Sequence, residues 1–138
     1  MAISASMQTI DPNRLQVAVG VLKNAQGNYL IQQRLPSAPC PGQWEFPGGK
    51  IESGEQPRFA LNRELEEELG IDVRSSKLLL VHNQDYNHAQ VQLHVFLITD
   101  YSGKAMGREG QVTMWRSKIE IAQLDVLDAV HPILKVIS

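Results

Sequence analysis

Four glutamates within five consecutive residues are the most chemically suggestive feature of the chain: Glu64, Glu66, Glu67 and Glu68. At about 3.6 residues per helical turn, the first, third and fourth of them share one face of a helix. Like charges at this spacing repel, and no basic residue is expected on that face to relieve them. A bound divalent cation would relieve them, because Mg²⁺ prefers oxygen ligands. The charge run alone favours a solvated acidic surface instead.

Two glycines, Gly48 and Gly49, follow a short apolar segment and precede this helix by a short loop. Glycine lets a backbone approach a phosphate group or offer a carbonyl oxygen to a metal, although a plain turn is the simpler explanation of an isolated pair. A P-loop is excluded, because Lys50 is followed by Ile51 and the upstream glycine of that motif is absent.

The glycines and the glutamates stand at one fixed spacing. Gly49 is followed after five residues by Glu55, and after seven more by R-E-L-E-E-E-L-G-I at residues 63–71. This pattern resembles the Nudix box, G-x5-E-x7-R-E-U-x-E-E-x-G-U with U aliphatic, at every defined position. A chance match of its fixed residue types, each at roughly 7% usage, occurs on the order of once in 10⁸ starts, so the resemblance is highly specific.

Three further segments resemble the MutT branch of the same family: L-Q-V-A-V-G at residues 15–20, W-E-F-P-G-G-K-I-E at residues 44–52 and G-R-E-G-Q at residues 107–111. The C-terminal part of the chain matches less well. The resemblance implies an α/β (α+β) fold in which a mixed β-sheet is sandwiched between helices and the box forms a loop–helix–loop. It also implies that water attacks a phosphorus atom and releases a nucleoside monophosphate and pyrophosphate.

Carried over by position, the resemblance implies a Mg²⁺ site, with Mn²⁺ as a substitute. Its ligands would be Gly48, Gly49, Glu64, Glu67, Glu68 and Glu109. Glu64 is the preferred proton acceptor, with Glu67 and Glu109 as further catalytic candidates, and which glutamate is the base stays open. Taken without the resemblance, Glu109 is simply an exposed loop acid.

The resemblance also implies substrate contacts from Arg34, Glu45, Phe46, Pro47, Tyr86 and Asp128. A surface charge explains Arg34 equally well, and a helix cap is the favoured explanation of Asp128. Structural roles within the box fall to Glu55, Arg63 and Gly70, the first two as an ion pair that fixes the loop against the helix.

The elements that must position these residues follow from the apolar pattern. Strands are predicted at residues 15–22, 29–33, 44–46, 77–81, 91–99 and 111–115, with a hairpin turn at 24–28, a long loop at 36–42 and a break at 47–49. A helix is predicted over residues 56–69, with Pro57 at its first position and Gly70 just beyond its end. A second helix is predicted over residues 128–137, capped by Asp128 and with Pro132 in its first turns.

Length and composition bound the remaining possibilities. The chain of 138 residues suits one domain, predicted over residues 14–138 after a flexible arm at residues 1–13. A net charge of −2 provides no basic surface for a long nucleic acid. The single cysteine, Cys40, excludes an internal disulfide, and no signal peptide or membrane span is recognisable. We expect a cytoplasmic monomer or homodimer whose partner is a small nucleotide.

The sequence leaves four functions to consider for this chain. The first is a pyrophosphatase of nucleoside triphosphates, including oxidised ones such as 8-oxo-dGTP. The second is hydrolysis of ADP-ribose. Nudix enzymes of that class carry a proline some fifteen residues beyond the box, and no proline occurs between Pro57 and Pro132, which counts against this function. Those that cleave dinucleoside polyphosphates carry a tyrosine there, and Tyr86 keeps that alternative open. A non-catalytic nucleotide sensor is the fourth, and the intact box argues against it.

One departure from the MutT pattern concerns recognition of the nucleobase. MutT-like enzymes place an asparagine near the start of the C-terminal helix, shortly before a proline, and its amide reads the edge of the base. An alignment on Pro132 places Val130 there. Because valine neither donates nor accepts a hydrogen bond, we expect weaker discrimination of oxidised guanine.

Overall fold

The apolar residues of the chain form two small sheets and the helices packed on them. A computed structural model describes residues 10–138, so the arm expected over residues 1–13 lies largely outside the described residues. The strands are β1 Leu15–Val21, β2 Tyr29–Gln33, β3 Trp44–Glu45, β4 Gly48–Lys50, β5 Asp72–Asp85, β6 Gln90–Ser102 and β7 Thr113–Arg116. The helices are α1 Pro57–Leu69, α2 Lys118–Ile121 and α3 Val130–Val136.

The larger sheet is mixed and has the strand order β4-β1-β6-β5. Strands β1 and β6 run parallel, whereas β4 and β5 pair antiparallel with their neighbours. The smaller sheet, β3-β2-β7, is entirely antiparallel. The predicted mixed sheet is therefore confirmed, and a second sheet that the sequence pattern did not separate accompanies it.

Both faces of the mixed sheet are buried, because the side chains of β1 alternate between two hydrophobic clusters. Ala18 packs with the leucines of α1, whereas Val19 and Val21 pack with residues of α3 such as Ile133. This alternation follows from the two-residue period of a strand. The predicted layering, a sheet between helices, is confirmed.

Helix α1 ends where the sequence predicted and begins at Pro57, one residue after the predicted start at residue 56. Pro57 occupies its first turn, and Gly70 ends it in the left-handed conformation with φ of 74°. Leu61, Leu65 and Leu69 are completely buried on its inner face. Within residues 10–138, no helix is long and apolar enough to cross a membrane.

The prediction that Asp128 caps the C-terminal helix is wrong. Helix α3 begins at Val130, and its N-cap is Ala129, which has no side-chain hydrogen bond to the helix. Ala129 already has helical dihedral angles, with φ of −66° and ψ of −14°, so the preceding turn runs directly into the helix and Asp128 lies one position too early.

A true capping box begins helix α2, between Ser117 and Glu120. That helix was missed, although its S-x-x-E pattern is readable in the sequence.

Predictions about the strands also need correction, including that at residues 111–115, where β7 is Thr113–Arg116. Strands β5 and β6 extend well beyond the predicted residues 77–81 and 91–99, because their polar ends continue to pair with each other. The predicted break at residues 47–49 is instead the beginning of β4, in which Gly48 pairs with Val19 and Lys50 with Val17. Glycine is required there by close packing, since a Cβ on Gly48 would overlap the carbonyl oxygen of Ala18.

We predict that Gly48→Ala lowers the free energy of unfolding by about 1–3 kcal/mol, the usual cost of forcing extra atoms into a packed interior. Gly20→Ala is the matched comparison, because its Cβ would meet mainly the flexible ends of Leu65 and Leu61 at 2.8 and 3.2 Å rather than backbone. Urea denaturation of both variants measures the difference. An equal or larger loss at Gly20 would show that the backbone contact at Gly48 is not the dominant constraint.

Candidate active site

The loop between β4 and α1 is tied to the helix by one arginine. Arg63 Nε donates to Glu55 Oε2 at 2.8 Å, and its Nη2 donates to Glu55 Oε1 at 2.9 Å and to the carbonyl of Lys50 at 3.0 Å. These hydrogen bonds, with one from the Glu52 N–H, lower the pKa of Glu55 to about 2. The loop and the first turns of the helix are therefore held in one arrangement.

The expectation that no basic residue contacts the acidic face of α1 is wrong, because Arg63 does. Its Nη1 lies 2.9 Å from Glu64 Oε2 and 3.5 Å from Glu67 Oε1, so a basic residue does relieve the repulsion between these carboxylates. The helical period placed Arg63 beside that face, but a long arginine side chain reaches across it. The pKa of Glu64 is nevertheless raised, first by burial and then by the charges of Glu67 and Glu109, so Arg63 compensates for them only in part.

Glu68 is the buried acid of the site, with 9% of its surface exposed. Its Oε1 accepts hydrogen bonds from the Gly48 N–H at 3.1 Å and from Gln32 Nε2 at 3.4 Å. Burial, reinforced by the charges of Glu64 and Glu45, raises its pKa to about 8. Oε2 has no hydrogen-bond partner among residues 10–138 and is free to bind a ligand.

Strand β4 brings a backbone surface against these carboxylates. A Cβ on Gly49 would overlap the carboxylate of Glu64, so only glycine permits this approach. The carboxylates and peptide groups of Gly48 and Gly49 therefore share one small volume. Such a set offers only oxygen ligands, the type that hard divalent cations take.

Glu109 reaches the same region from the loop between β6 and β7. It lines a small recess together with Glu68 and Gln32, and its charge contributes to the raised pKa values of both Glu64 and Glu68. The loop is anchored at the C-terminal end of α1, where the Arg108 N–H donates to the Glu68 carbonyl at 2.9 Å and Gln111 Nε2 donates to it at 3.1 Å. Both bonds go to one of the carbonyl groups that a helix end leaves without partners.

A cavity of about 300 Å³ opens beside the acidic cluster and shares Gly48, Gly49 and Glu68 with it. Most of its wall is apolar: Leu15, Val17, Val19, Phe46, Val91, Leu93, Leu127, Ala129, Val130 and Ile133. The remaining lining residues are Arg34, Glu45, Lys50, Tyr86 and His88. The volume and the composition suit a small ligand with one apolar and one charged part.

The structure brings four of the six predicted substrate residues to this cavity: Arg34, Glu45, Phe46 and Tyr86. Pro47 and Asp128 do not line it. The carbonyl of Pro47 instead accepts the Gly20 N–H at 2.8 Å, and Asp128 is exposed.

Several groups of the cavity are already engaged within the protein. Arg34 Nη1 lies 2.9 Å from Glu45 Oε1, and its Nε donates to the Pro39 carbonyl at 2.6 Å. Burial raises the pKa of Glu45 even though Arg34 opposes the shift. The hydroxyl of Tyr86 accepts the Ala129 N–H at 3.2 Å, and the His88 ring stacks on Tyr86 at 5.3 Å between centroids.

Sequence reasoning missed Gln32 and His88. No spacing rule singles out either residue. Gln32 meets Glu68 from a strand 36 residues earlier in the chain, and His88, in the loop between β5 and β6, borders the cavity only through tertiary packing.

The acidic cluster is not a closed metal cage. Among residues 10–138, no three histidine, cysteine, aspartate or glutamate side chains converge on a single point suited to a metal ion. Arg63 contacts two of the carboxylates, those of Glu64 and Glu67. An open set of this kind still fits Mg²⁺, which keeps several waters and combines one or two carboxylates with substrate phosphates.

Comparison with known proteins agrees with this geometry. The profile of the NUDIX domain matches residues 13–137. The chain belongs to the Nudix family. As a Nudix hydrolase it acts on phosphoanhydride bonds, and the box resemblance drawn from residues 49–71 is confirmed.

Two relatives and one solved structure are similar to this Nudix hydrolase over most of its length. The 8-oxo-dGTP diphosphatase of Haemophilus influenzae is 37% identical over 106 residues, which is 77% of this chain and 78% of the relative. The CTP pyrophosphohydrolase of Escherichia coli K12 is 32% identical over 121 residues, 88% of this chain and 89% of the relative. A MutT NUDIX hydrolase from Burkholderia pseudomallei superposes with a TM-score of 0.82 at 26% identity, covering 90% and 98% of the two chains.

We predict that the metal-free Nudix hydrolase loses stability as pH rises from about 5 to 9. Glu68 has a folded pKa of about 8 against an ordinary value of 4.5, so the folded state binds its proton more tightly than the unfolded state. Its contribution is therefore complete below pH 4.5 and is lost as pH rises through 8. Thermal unfolding in EDTA at several pH values measures this trend.

Glu68→Gln should flatten that pH dependence, because its side chain carries no titrating charge. Glu66→Gln is the matched control, since Glu66 is exposed on the same helix and should keep the wild-type slope. Identical slopes for wild type and Glu68→Gln would contradict the raised pKa of Glu68.

Proposed function

We propose that this Nudix hydrolase cleaves nucleoside triphosphates, 8-oxo-dGTP among them, to nucleoside monophosphate and pyrophosphate in a Mg²⁺-dependent reaction. One observation carries the proposal: Gly48, Gly49 and Glu68 belong both to the acidic cluster and to the wall of the apolar cavity. A nucleoside in the cavity therefore directs its phosphates towards the carboxylates. The 8-oxo-dGTP diphosphatase relative supports this substrate class.

The residues present fit a divalent cation, with Mn²⁺ able to replace Mg²⁺. It would be held by Glu64, Glu67, Glu68 and Glu109 together with a backbone carbonyl of Gly48 or Gly49. Buried carboxylates with raised pKa values are the groups whose charge a cation would stabilise. When bound, such an ion neutralises charge on phosphate oxygens and lowers the pKa of a coordinated water.

The protein side chains have distinct tasks in this reaction. Glu64 accepts the proton of the attacking water, since it is half-buried beside Gly49 and its pKa is raised by burial. Arg34 orients the nucleotide through Nη2, because its Nε and Nη1 are already bound to Pro39 and Glu45. Arg63 and Glu55 keep the loop in place and do not react.

A second candidate, which the CTP pyrophosphohydrolase relative suggests and the lining of the cavity also admits, is hydrolysis of pyrimidine triphosphates such as CTP. Val130 and Ile133 offer only apolar contact where helix α3 borders the cavity. Glu45 has both carboxylate oxygens paired within the protein, to Arg34 and Gln32, and is not available to read a base edge. These parts of the wall enclose a base without selecting its hydrogen-bonding pattern. The CTP pyrophosphohydrolase relative favours the same reading.

We predict that Glu68→Gln retains less than about a tenth of the wild-type rate with Mg²⁺ while remaining folded, because losing a metal ligand should cost at least the roughly 10–100-fold that losing an outer-shell partner costs. Glu66→Gln, exposed on α1, should keep the wild-type rate. EDTA should abolish activity of the wild type. Pyrophosphate release and circular dichroism are the measurements, and full activity after exhaustive chelation contradicts the metal assignment.

We predict that the ratio of kcat/KM for 8-oxo-dGTP over dGTP stays below about 10⁴. A site that hydrogen-bonds its substrate rejects wrong analogues by 10⁴ or more, whereas apolar contact discriminates by about 1–3 kcal/mol. Steady-state kinetics on a panel that includes CTP, dGTP, 8-oxo-dGTP, ADP-ribose and a dinucleoside polyphosphate measures this. A ratio above 10⁴ would reveal a recognition group other than those lining the cavity.

A further inference from the structure

Gln32, on strand β2, lies buried between two carboxylates, with 5% of its surface exposed. Its Nε2 is 3.3 Å from Glu45 Oε2 and 3.4 Å from Glu68 Oε1. The amide nitrogen carries two N–H groups, so it can donate one hydrogen bond to each of these carboxyl groups. One amide thus joins two acidic side chains of the site.

The other end of the same amide connects to the loop that carries Glu109. Gln32 Oε1 accepts from Gln111 Nε2 at 3.3 Å, and Gln111 Oε1 accepts the Glu109 N–H at 2.8 Å. Gln111 Nε2 also donates to the Glu68 carbonyl at 3.1 Å. The two amides therefore link β2, the end of α1 and the Glu109 loop in one hydrogen-bonded network.

This network distinguishes the two carboxylates that Gln32 joins. Both oxygens of Glu45 are occupied, one by Arg34 and the other by Gln32. Glu68 receives its two bonds, from Gln32 and the Gly48 N–H, on Oε1 alone. Among residues 10–138 its Oε2 has no such partner, so the network fixes one oxygen of Glu68 and leaves the other available.

We propose that Gln32 is a positioning residue that holds Glu68 Oε1 and thereby presents Oε2 to the divalent cation. The inference rests on the proposed function, because it takes Glu68 as a metal ligand. Residues that orient a ligand from outside the coordination sphere typically contribute about 10–100-fold in metal affinity or activity. Gln32 does not line the apolar cavity; it lines a smaller adjoining recess together with Glu68 and Glu109. Its effect should therefore appear in the response to metal rather than in nucleotide affinity.

Gln32→Met tests this inference, since methionine keeps the unbranched shape and removes the amide. Gln33→Met is the matched control on the same strand, where the side chain bonds only to the exposed Gly42 carbonyl at 3.0 Å. Mn²⁺ binding is measured from the electron paramagnetic resonance signal of free Mn²⁺. We expect the dissociation constant to rise about tenfold for Gln32→Met and less than about twofold for Gln33→Met.

A second readout separates positioning from a general loosening of the core. At saturating dGTP, the Mg²⁺ concentration for half-maximal rate should rise about tenfold in Gln32→Met, while KM for dGTP at saturating Mg²⁺ should stay near the wild-type value. A lower melting temperature and lower kcat with an unchanged Mg²⁺ requirement would overturn the inference. If Gln32→Met does not fold, Gln32→Asn serves instead, because its amide is one methylene too short to join the carboxylates, and an unchanged Mg²⁺ requirement in that variant is equally decisive against the inference.

Failure of this inference and failure of the proposed function give different results. If the wild type hydrolyses nucleoside triphosphates with Mg²⁺ and Gln32→Met matches it in both metal readouts, only the role of Gln32 is wrong. If the wild type neither binds Mn²⁺ nor hydrolyses any triphosphate, the proposed function and the role of Gln32 are rejected together.

Discussion

The absence of side chains at Gly48 and Gly49 is the constraint on which the site depends. Strand β4 approaches β1 so closely that a Cβ on Gly48 would overlap the Ala18 carbonyl, and a Cβ on Gly49 would overlap the Glu64 carboxylate. This approach brings the acidic face of α1 against a backbone strand. Without it, the Gly48 N–H would not reach Glu68, and the carboxylates would not share a boundary with the cavity.

Burying several carboxylates together is unfavourable, and the surrounding groups offset that cost only in part. Arg63 binds Glu55 and spans Glu64 and Glu67, while Gln32 and the Gly48 N–H donate to Glu68. The raised pKa of Glu68 shows that the compensation is incomplete. An acidic cluster with too little compensating positive charge is electrostatically suited to a cation. The uncompensated carboxylates lower the stability of the metal-free fold and favour cation binding.

The second half of the site comes from the opposite face of the same sheet. The cavity is formed by β1 and β6 side chains together with helix α3, whereas the acidic helix packs on the other face. The cavity and the acidic cluster meet at β4, the edge strand. Gly48 and Gly49 have no side chains, so the backbone of β4 contacts both. Phosphoryl transfer depends mainly on positioning and charge neutralisation, and this edge brings a binding cavity and a charged cluster into contact.

Much of this protein was determined by the sequence alone. The box at residues 49–71 identifies the family, and local rules place helix α1 between Pro57 and Gly70, because caps, prolines and hydrophobic period act over a few residues. Tertiary structure alone decided that Gly48 begins a strand, that Asp128 is neither cap nor cavity residue, and that Gln32 joins Glu45 to Glu68. These outcomes depend on strand pairing and on side-chain reach between segments far apart in the chain, which no local pattern encodes.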